Sequence, residues 1–308
     1  MDALLLLMVF IWGSNYSLLK RAFAELPPQA FNTVRLGVAS LVFLALIRWT
    51  RWRSRRAPGS LPSVFYTDHA LTRRDRWDLV WLGLTGHFGY QWFFIRGVSI
   101  TSVSNAAVIV GITPAVVMVL SALLGRERIT RVHWLGAGLS LIGLYFVVGS
   151  GVSFQSATIA GDLLVLMSVG CWALYTLGSA RLVSRHSALY VTGITMAIGA
   201  VPYILMSLPV SRAVAWTDVP GWVFAAAVLS ALLAFCLSYV IWYVAVQRLG
   251  PSRTSAYSNL IPIVAMGVAV LWLHEPVSGT KVFGAAGVLA GVALTRLGRQ
   301  APAVAVEE

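Results

Sequence analysis

Apolar residues along this chain neither alternate nor keep to a single helical stripe. They come in long runs, broken by short polar clusters rich in arginine. A run of roughly 20 apolar residues is what a helix needs to cross the hydrocarbon core of a bilayer. The runs predict ten transmembrane helices, over 3–22, 30–48, 78–96, 102–124, 132–150, 161–181, 188–208, 220–245, 253–273 and 280–297. Connections are short except from Arg51 to Arg76, where Pro58, Gly59 and Pro62 predict a mobile polar loop. No positive segment precedes the first run, and Lys20 and Arg21 stand where a cleavage site would need small residues. The first run is therefore expected to be a retained span and not a cleaved signal.

Composition narrows the class to one. The 308 residues are 58% hydrophobic and 11% charged, against roughly 25% charged in soluble domains. A soluble fold of this length cannot bury that much apolar surface. An all-α polytopic membrane protein is the consistent expectation, with the lipid bilayer as its solvent. The net charge of +12 would raise nucleic acid as a partner in a soluble protein. Here the arginines cluster between spans, so no nucleic-acid partner is expected and the charge reads as topology. With a cytoplasmic N-terminus, 17 Lys and Arg residues fall inside and 5 outside, with Arg35 within a helix. Lys20 and Arg21 argue locally the other way, but the 51–76 loop outweighs them. Both termini are expected on the cytoplasmic side of the membrane.

The chain also repeats itself. Around Pro114 it reads G-I-T-P-A-V, followed by Glu127, Gly136 and Gly143; around Pro262 it reads N-L-I-P-I-V, followed by Glu275, Gly284 and Gly291. The spacings are 13, 9 and 7 in both copies. A weaker match pairs Trp12 with Trp172. This divides the chain into 1–150 and 151–308, two repeats of five helices. Five is odd, so the second repeat enters the membrane upside down. Many secondary transporters are inverted repeats with the solute site at the repeat interface. Pro114 and Pro262 are expected to kink their spans, freeing the carbonyls of Val110 and Ser258.

Several spans carry polar and aromatic residues at i, i+3, i+4, which shares one helical face. These are Trp12, Asn15 and Tyr16; His87, Tyr90 and Gln91; Trp172, Tyr175 and Thr176; Tyr239, Trp242 and Tyr243; and Ser255, Ser258 and Asn259. Ser102 and Asn105 add a pair. Unsatisfied polar groups in hydrocarbon cost several kcal/mol, so these faces should turn inward. There they would either line a path for a small amphipathic solute or bond one helix to another. His87 could shuttle a proton, bind solute or bond a neighbour. Arg35 could snorkel to headgroups, hold a structural position or attract a substrate carboxylate. Gly136, Ser140 and Gly143 in helix five, and Gly284, Gly287 and Gly291 in helix ten, suit close packing, and a homodimer contact through these helices is one use of them.

Absences narrow the chemistry. The acidic residues fall in loops, near helix ends or at the termini, and none at a span centre, which speaks against a proton-coupled carrier of hydrophobic cations. Cys171 and Cys236 lie in apolar runs without metal-ligand spacing and read as structural. No phosphate loop, metalloprotease motif, cysteine pair or nucleophile elbow is present. No cofactor, metal or catalytic residue is expected.

Trp12-Gly13-Ser14-Asn15 resembles the start of an EamA domain. The stretch from Pro114 through Glu127 to Gly136, and its copy from Pro262 through Glu275 to Gly284, resemble it further. Two such domains in tandem are similar to the drug/metabolite transporter superfamily over nearly the whole chain. The resemblance implies an inner-membrane exporter of small metabolites, with central faces of both halves lining the cavity. Within it, amino-acid exporters of the YddG type fit the aromatic inner faces. A sugar-phosphate, nucleotide-sugar or drug carrier is the alternative in the same class; a membrane enzyme or receptor is the alternative outside it. The chain departs from a simple repeat in its basic 51–76 loop, and in lacking an arginine in helix seven to match Arg35.

Overall fold

The computed structural model describes residues 1–100, 109–125, 130–148, 156–261, 263–264, 267–268, 271 and 279–297. Most of these residues are helical, with no strand among them. Helix α1 is Asp2–Ala22 and α2 is Pro28–Arg56, opened by its own proline. Helix α3 covers 73–100, interrupted by a π-helical turn at Leu84–Gly89. Then come α4 (Thr113–Leu123), α5 (Arg131–Val148), α6 (Ser156–Val183) and α7 (Ala188–Arg212). Helix α8 is Gly221–Leu249, with a second π turn at Ala231–Leu237. Helix α9 is Pro251–Ala256, tightening into a 3-10 turn at Tyr257–Leu260, and α10 is Gly279–Leu297. Gly250, at φ 83°, makes the corner between α8 and Pro251.

Five of the described helices are long and apolar enough to cross a membrane: Asp2–Leu19, Pro28–Arg56, Ile159–Val183, Ala188–Arg212 and Gly221–Leu249. Solvation of the fold is inverted relative to a protein in water. Phe10, Leu41, Ile142, Leu163, Leu205 and Phe283 are among many large apolar side chains facing outward. Asn32, Arg35, His87, Gln91, Thr195 and Ser238 are buried. Water would penalise so much exposed apolar surface; lipid does not, and it leaves polar groups to find partners inside. The resulting core joins α1, α2, α3 and α6 to α10, and its largest buried side chains include Trp242, Tyr175, Tyr203 and Tyr243.

The 51–76 loop is shorter and better anchored than its polarity suggests. Helix α2 runs on to Arg56 and α3 starts at Arg73. Thr72 and Asp75 form a capping box at the start of α3, each side chain bonding the other's backbone N–H at 3.0–3.1 Å. The loop is stitched to the α6–α7 corner by the Leu189 N–H on the Val64 carbonyl and the Ser187 N–H on the Thr67 hydroxyl. His186 Nε2 lies 3.3 Å from the Asp75 carboxylate, and Arg185 lies 4.0 Å away. Burial alone would push the Asp75 carboxyl up; the Thr72 N–H and hydroxyl, His186 and Arg185 outweigh it and hold it below its ordinary value.

Helices α5 and α10 share the most extensive helix contact among the described residues. Their small residues are used on each other. A Cβ on Gly143 would stand 2.5 Å from the Val288 nitrogen and 2.6 Å from the Gly284 carbonyl oxygen. One on Gly291 would meet the Ser140 hydroxyl and the Gly136 carbonyl. The face expected to serve a homodimer is therefore filled by the same chain, and a second copy would have to use the outward faces of these helices.

Three variants test these contacts in protein purified in detergent. Gly143→Ala should lower thermal stability by about 1–3 kcal/mol, the usual cost of overpacking. Gly138→Ala in the same helix, where a Cβ meets open space, should be neutral or stabilising by up to about 1 kcal/mol. Asp75→Ala should cost about 1 kcal/mol through the lost cap. Because the folded carboxyl sits below 3.8, its stabilisation is complete at neutral pH and is lost as pH falls through the folded value. The variant's melting temperature should accordingly fall less steeply on acidification than that of the parent.

Candidate functional site

A cavity of about 100 Å³ opens between the helices of the two sequence halves. Its wall is aromatic with a few polar tips. Trp12 from α1, Tyr90 from α3, Trp172 from α6 and Tyr239 from α8 surround it. Trp172 holds them together, with ring centroids 5.9 Å from Trp12, 5.2 Å from Tyr90 and 5.3 Å from Tyr239. Such tilted and edge-on pairs are worth about 0.5–1.5 kcal/mol beyond their buried area. The indole N–H of Trp12 donates to the Ala234 carbonyl at 2.9 Å. That carbonyl lies in the π turn of α8, where the ordinary helical ladder is interrupted.

The polar tips are Asn15, Arg35, Gln91, Thr113 and Ser258. Asn15 accepts from the Ser230 hydroxyl at 2.6 Å. The Arg35 guanidinium donates to the Asn32 side-chain oxygen at 3.0 Å and lies over the Phe235 ring, 4.2 Å from its centroid. Asn32 in turn donates to Gln91 at 3.3 Å. Pro114 stands in the first turn of α4, beside this wall. The carbonyl of Val110, which the proline frees, is taken by the Thr113 hydroxyl, and both residues face the cavity.

Of the positions singled out from sequence, Trp12, Asn15, Tyr90, Gln91, Trp172, Tyr239 and Ser258 line the cavity. His87, Tyr175, Trp242, Tyr243 and Asn259 do not. Asn105, Pro262 and the side chain of Tyr16 lie outside the described residues. His87 is buried behind Tyr239, with Nε2 2.6 Å from the Tyr175 hydroxyl and 3.2 Å from the Thr195 hydroxyl. Its separation from Tyr90 and Gln91 has a local cause. His87 sits in the π turn and they follow it; a π turn carries an extra residue, so one face does not run straight through it. Gly86 permits the arrangement, since a Cβ there would collide with the Tyr175 ring. Trp242 backs the wall, 5.7 Å from Trp12 and 5.2 Å from Trp172, and Tyr243 packs on Tyr175. Asn259 follows Ser258 in the 3-10 turn, whose three-residue repeat sends neighbours to different sides.

Two residues of the wall, Arg35 and Thr113, carried a signal that the face reading did not use, and a third, Phe235, carried none. Asn32 and Arg35 are themselves an i, i+3 polar pair. Thr113 precedes Pro114. Phe235 follows Ala234 within a run that looks uniformly apolar.

Comparison with known proteins places this architecture. A model of the EamA-like transporter family matches residues 1–149 and again 159–297. The uncharacterized transporter YyaM of Bacillus subtilis is 29% identical over 283 residues, covering 91% of this chain and 88% of the relative. A probable amino-acid metabolite efflux pump of Salmonella typhimurium is 25% identical, covering 96% of this chain and 94% of its own length. A solved crystal structure superposes with a TM-score of 0.76 at 19% identity, covering 96% of both chains, a likeness that speaks for the fold alone. With both matches of that family model spanning most of its length, the chain belongs to the EamA-like transporter family, within the drug/metabolite transporters, and is a multi-pass membrane transporter.

Proposed function

We propose that this transporter exports small metabolites across a bacterial inner membrane, with large neutral or aromatic amino acids as its cargo. The observation that carries the reading is the aromatic cavity assembled from both halves of the chain. Flat apolar walls with a few hydrogen-bonding tips suit a solute with one apolar and one polar end. The likeness to a relative whose name is a probable amino-acid metabolite efflux pump points the same way.

Alternating access fits the dimensions. Ligand pockets usually measure about 300–1,000 Å³, so a cavity of about 100 Å³ must widen to load cargo. The proposed topology is ten spans in two inverted repeats, 1–150 and 151–308, with both termini cytoplasmic. Support comes from the π turns. They begin at Leu84 and Ala231, an offset of 147 residues, beside the offset of 148 between Pro114 and Pro262. Equivalent spans thus carry the same backbone irregularity, as two copies of one repeat would. A homodimer, in this reading, forms through the outward faces of α5 and α10, where Phe146 and Phe283 are exposed.

Purified protein in liposomes should move neutral amino acids down their gradients, measured with a labelled panel with and without a pH difference. Flux of phosphorylated sugars with none for any amino acid would replace this reading with a sugar-phosphate carrier. Trp12→Ala and Trp172→Ala should each lower flux about tenfold at unchanged expression, the equivalent of one aromatic contact of about 1.4 kcal/mol. Parental flux in both variants would make the aromatic cluster packing only.

A further inference from the structure

We infer that Arg35 is the carboxylate-binding residue of the cavity, and that the cargo is recognised by its carboxylate and apolar tail rather than by an ammonium group. This rests on reading the cavity as the cargo site.

Arg35 is 3% exposed, yet it stands in the cavity wall. One nitrogen donates to Asn32, and Nε has no partner. No carboxylate pairs with it among the described residues; Asp75 and Asp78, near the start of α3, pair with His186, Arg185 and Arg181 instead. A buried cation without a counter-charge carries a large desolvation penalty. Ionisable groups inside a membrane protein face a cavity or pair with each other. Arg35 does the first and, among the described residues, lacks the second, so the anion it calls for is the one that arrives with the cargo.

The surroundings keep the empty site tolerable and oriented. The Phe235 ring under the guanidinium, 4.2 Å from centroid to Cζ, supplies a cation–π contact. Asn32, itself donating to Gln91, holds one edge of the fork between α2 and α3. A guanidinium presented this way can pair a carboxylate through two parallel N–H groups, which a lysine ammonium cannot do.

Charge balance selects among anions. One guanidinium matches one carboxylate. A phosphate monoester brings about −1.5 to −2 charges at neutral pH, leaving the surplus in a low-dielectric site. At the other end of the cargo, no acidic residue lines the cavity among the described residues. The aromatic group of Trp12, Tyr90, Trp172 and Tyr239 receives an apolar tail and asks nothing of an α-ammonium. Aromatic monocarboxylic acids without an amino group should therefore enter the same site.

The test uses full-length protein in detergent for binding, and in liposomes for competition flux. The probes are L-phenylalanine, 3-phenylpropionate, L-phenylalaninamide and phenethylamine. Phenylalanine and phenylpropionate should bind and compete within a few-fold of each other, with the amide and the amine at least tenfold weaker. Arg35→Gln should lose this preference for acids, and Arg35→Lys should retain only part of it. The wild-type series stands alone should a variant fold poorly. Equal binding of amide and acid would overturn the assignment while leaving amino-acid transport standing. Binding of phenylpropionate without flux of any amino acid would do the reverse, and binding of none of the four would overturn both.

Discussion

A polar group inside a bilayer has no water to fall back on, and most of this structure follows from that. The helices turn leucine, isoleucine and phenylalanine outward at no cost in lipid, and hold their asparagines, glutamine, histidine and arginine in the middle. Every departure from regular helix then needs a donor or acceptor from within the protein. The Thr113 hydroxyl answers the carbonyl freed by Pro114. The Trp12 indole answers a carbonyl in the π turn of α8, and the Ser238 hydroxyl answers Leu233 at 2.8 Å in the same turn. Two of these partners come from the same stretch of helix and one, Trp12, from another helix across the cavity.

The same constraint decides how the helices approach. Lipid gives little hydrophobic force between them, so contact depends on fit and on small residues. Gly143 and Gly291 let α5 and α10 touch backbone to backbone. Gly83 brings α3 against α7, with Thr195 and Ile198 within 3 Å of where its Cβ would be, and Gly199 admits His87 from the other side. These contacts set the distance across which Tyr175, Thr195 and His87 meet, and they close that triad away from the cavity. A histidine near a span centre thus became a bond between α3, α6 and α7.

How much of this could be read beforehand depended on scale. Long apolar runs with arginine between them carry a strong signal, since lipid imposes length and polarity directly, and the described helices fall within or close to the runs that predict them. Helix ends moved where polar residues extend a helix past the apolar run, as Arg48 to Arg56 do in α2 and Arg73 to Trp77 in α3. Side-chain direction was legible wherever a helix stays regular: Trp12 and Asn15 in α1 share the cavity face that their spacing implies. It failed at the π turns and the 3-10 turn, because nothing in the residues around His87 or Asn259 announces a change of helical repeat. Arg35 was visible as an isolated intramembrane charge. Its surroundings were not, because they come from Asn32 on its own helix and Phe235 some 200 positions away.

Charge placement in the cavity bears on how transport could be driven. Arginine does not lose its proton in a protein, so the cation on this wall is a fixed one. The wall carries no carboxylate or imidazole among the described residues, and His87 has its Nε2 engaged by Tyr175 and Thr195 behind the Tyr239 ring. A carrier that exchanges cargo for a proton at a shared site needs a group there that both can occupy. The described wall offers a fixed positive charge instead, and a fixed charge responds to the cargo's own charge and to the membrane potential. Each elementary charge moved across 100 mV is worth about 2.3 kcal/mol. A zwitterion crossing on Arg35 moves no net charge of its own, so its concentration gradient sets the direction of flux; a monocarboxylate at the same residue would also feel the potential.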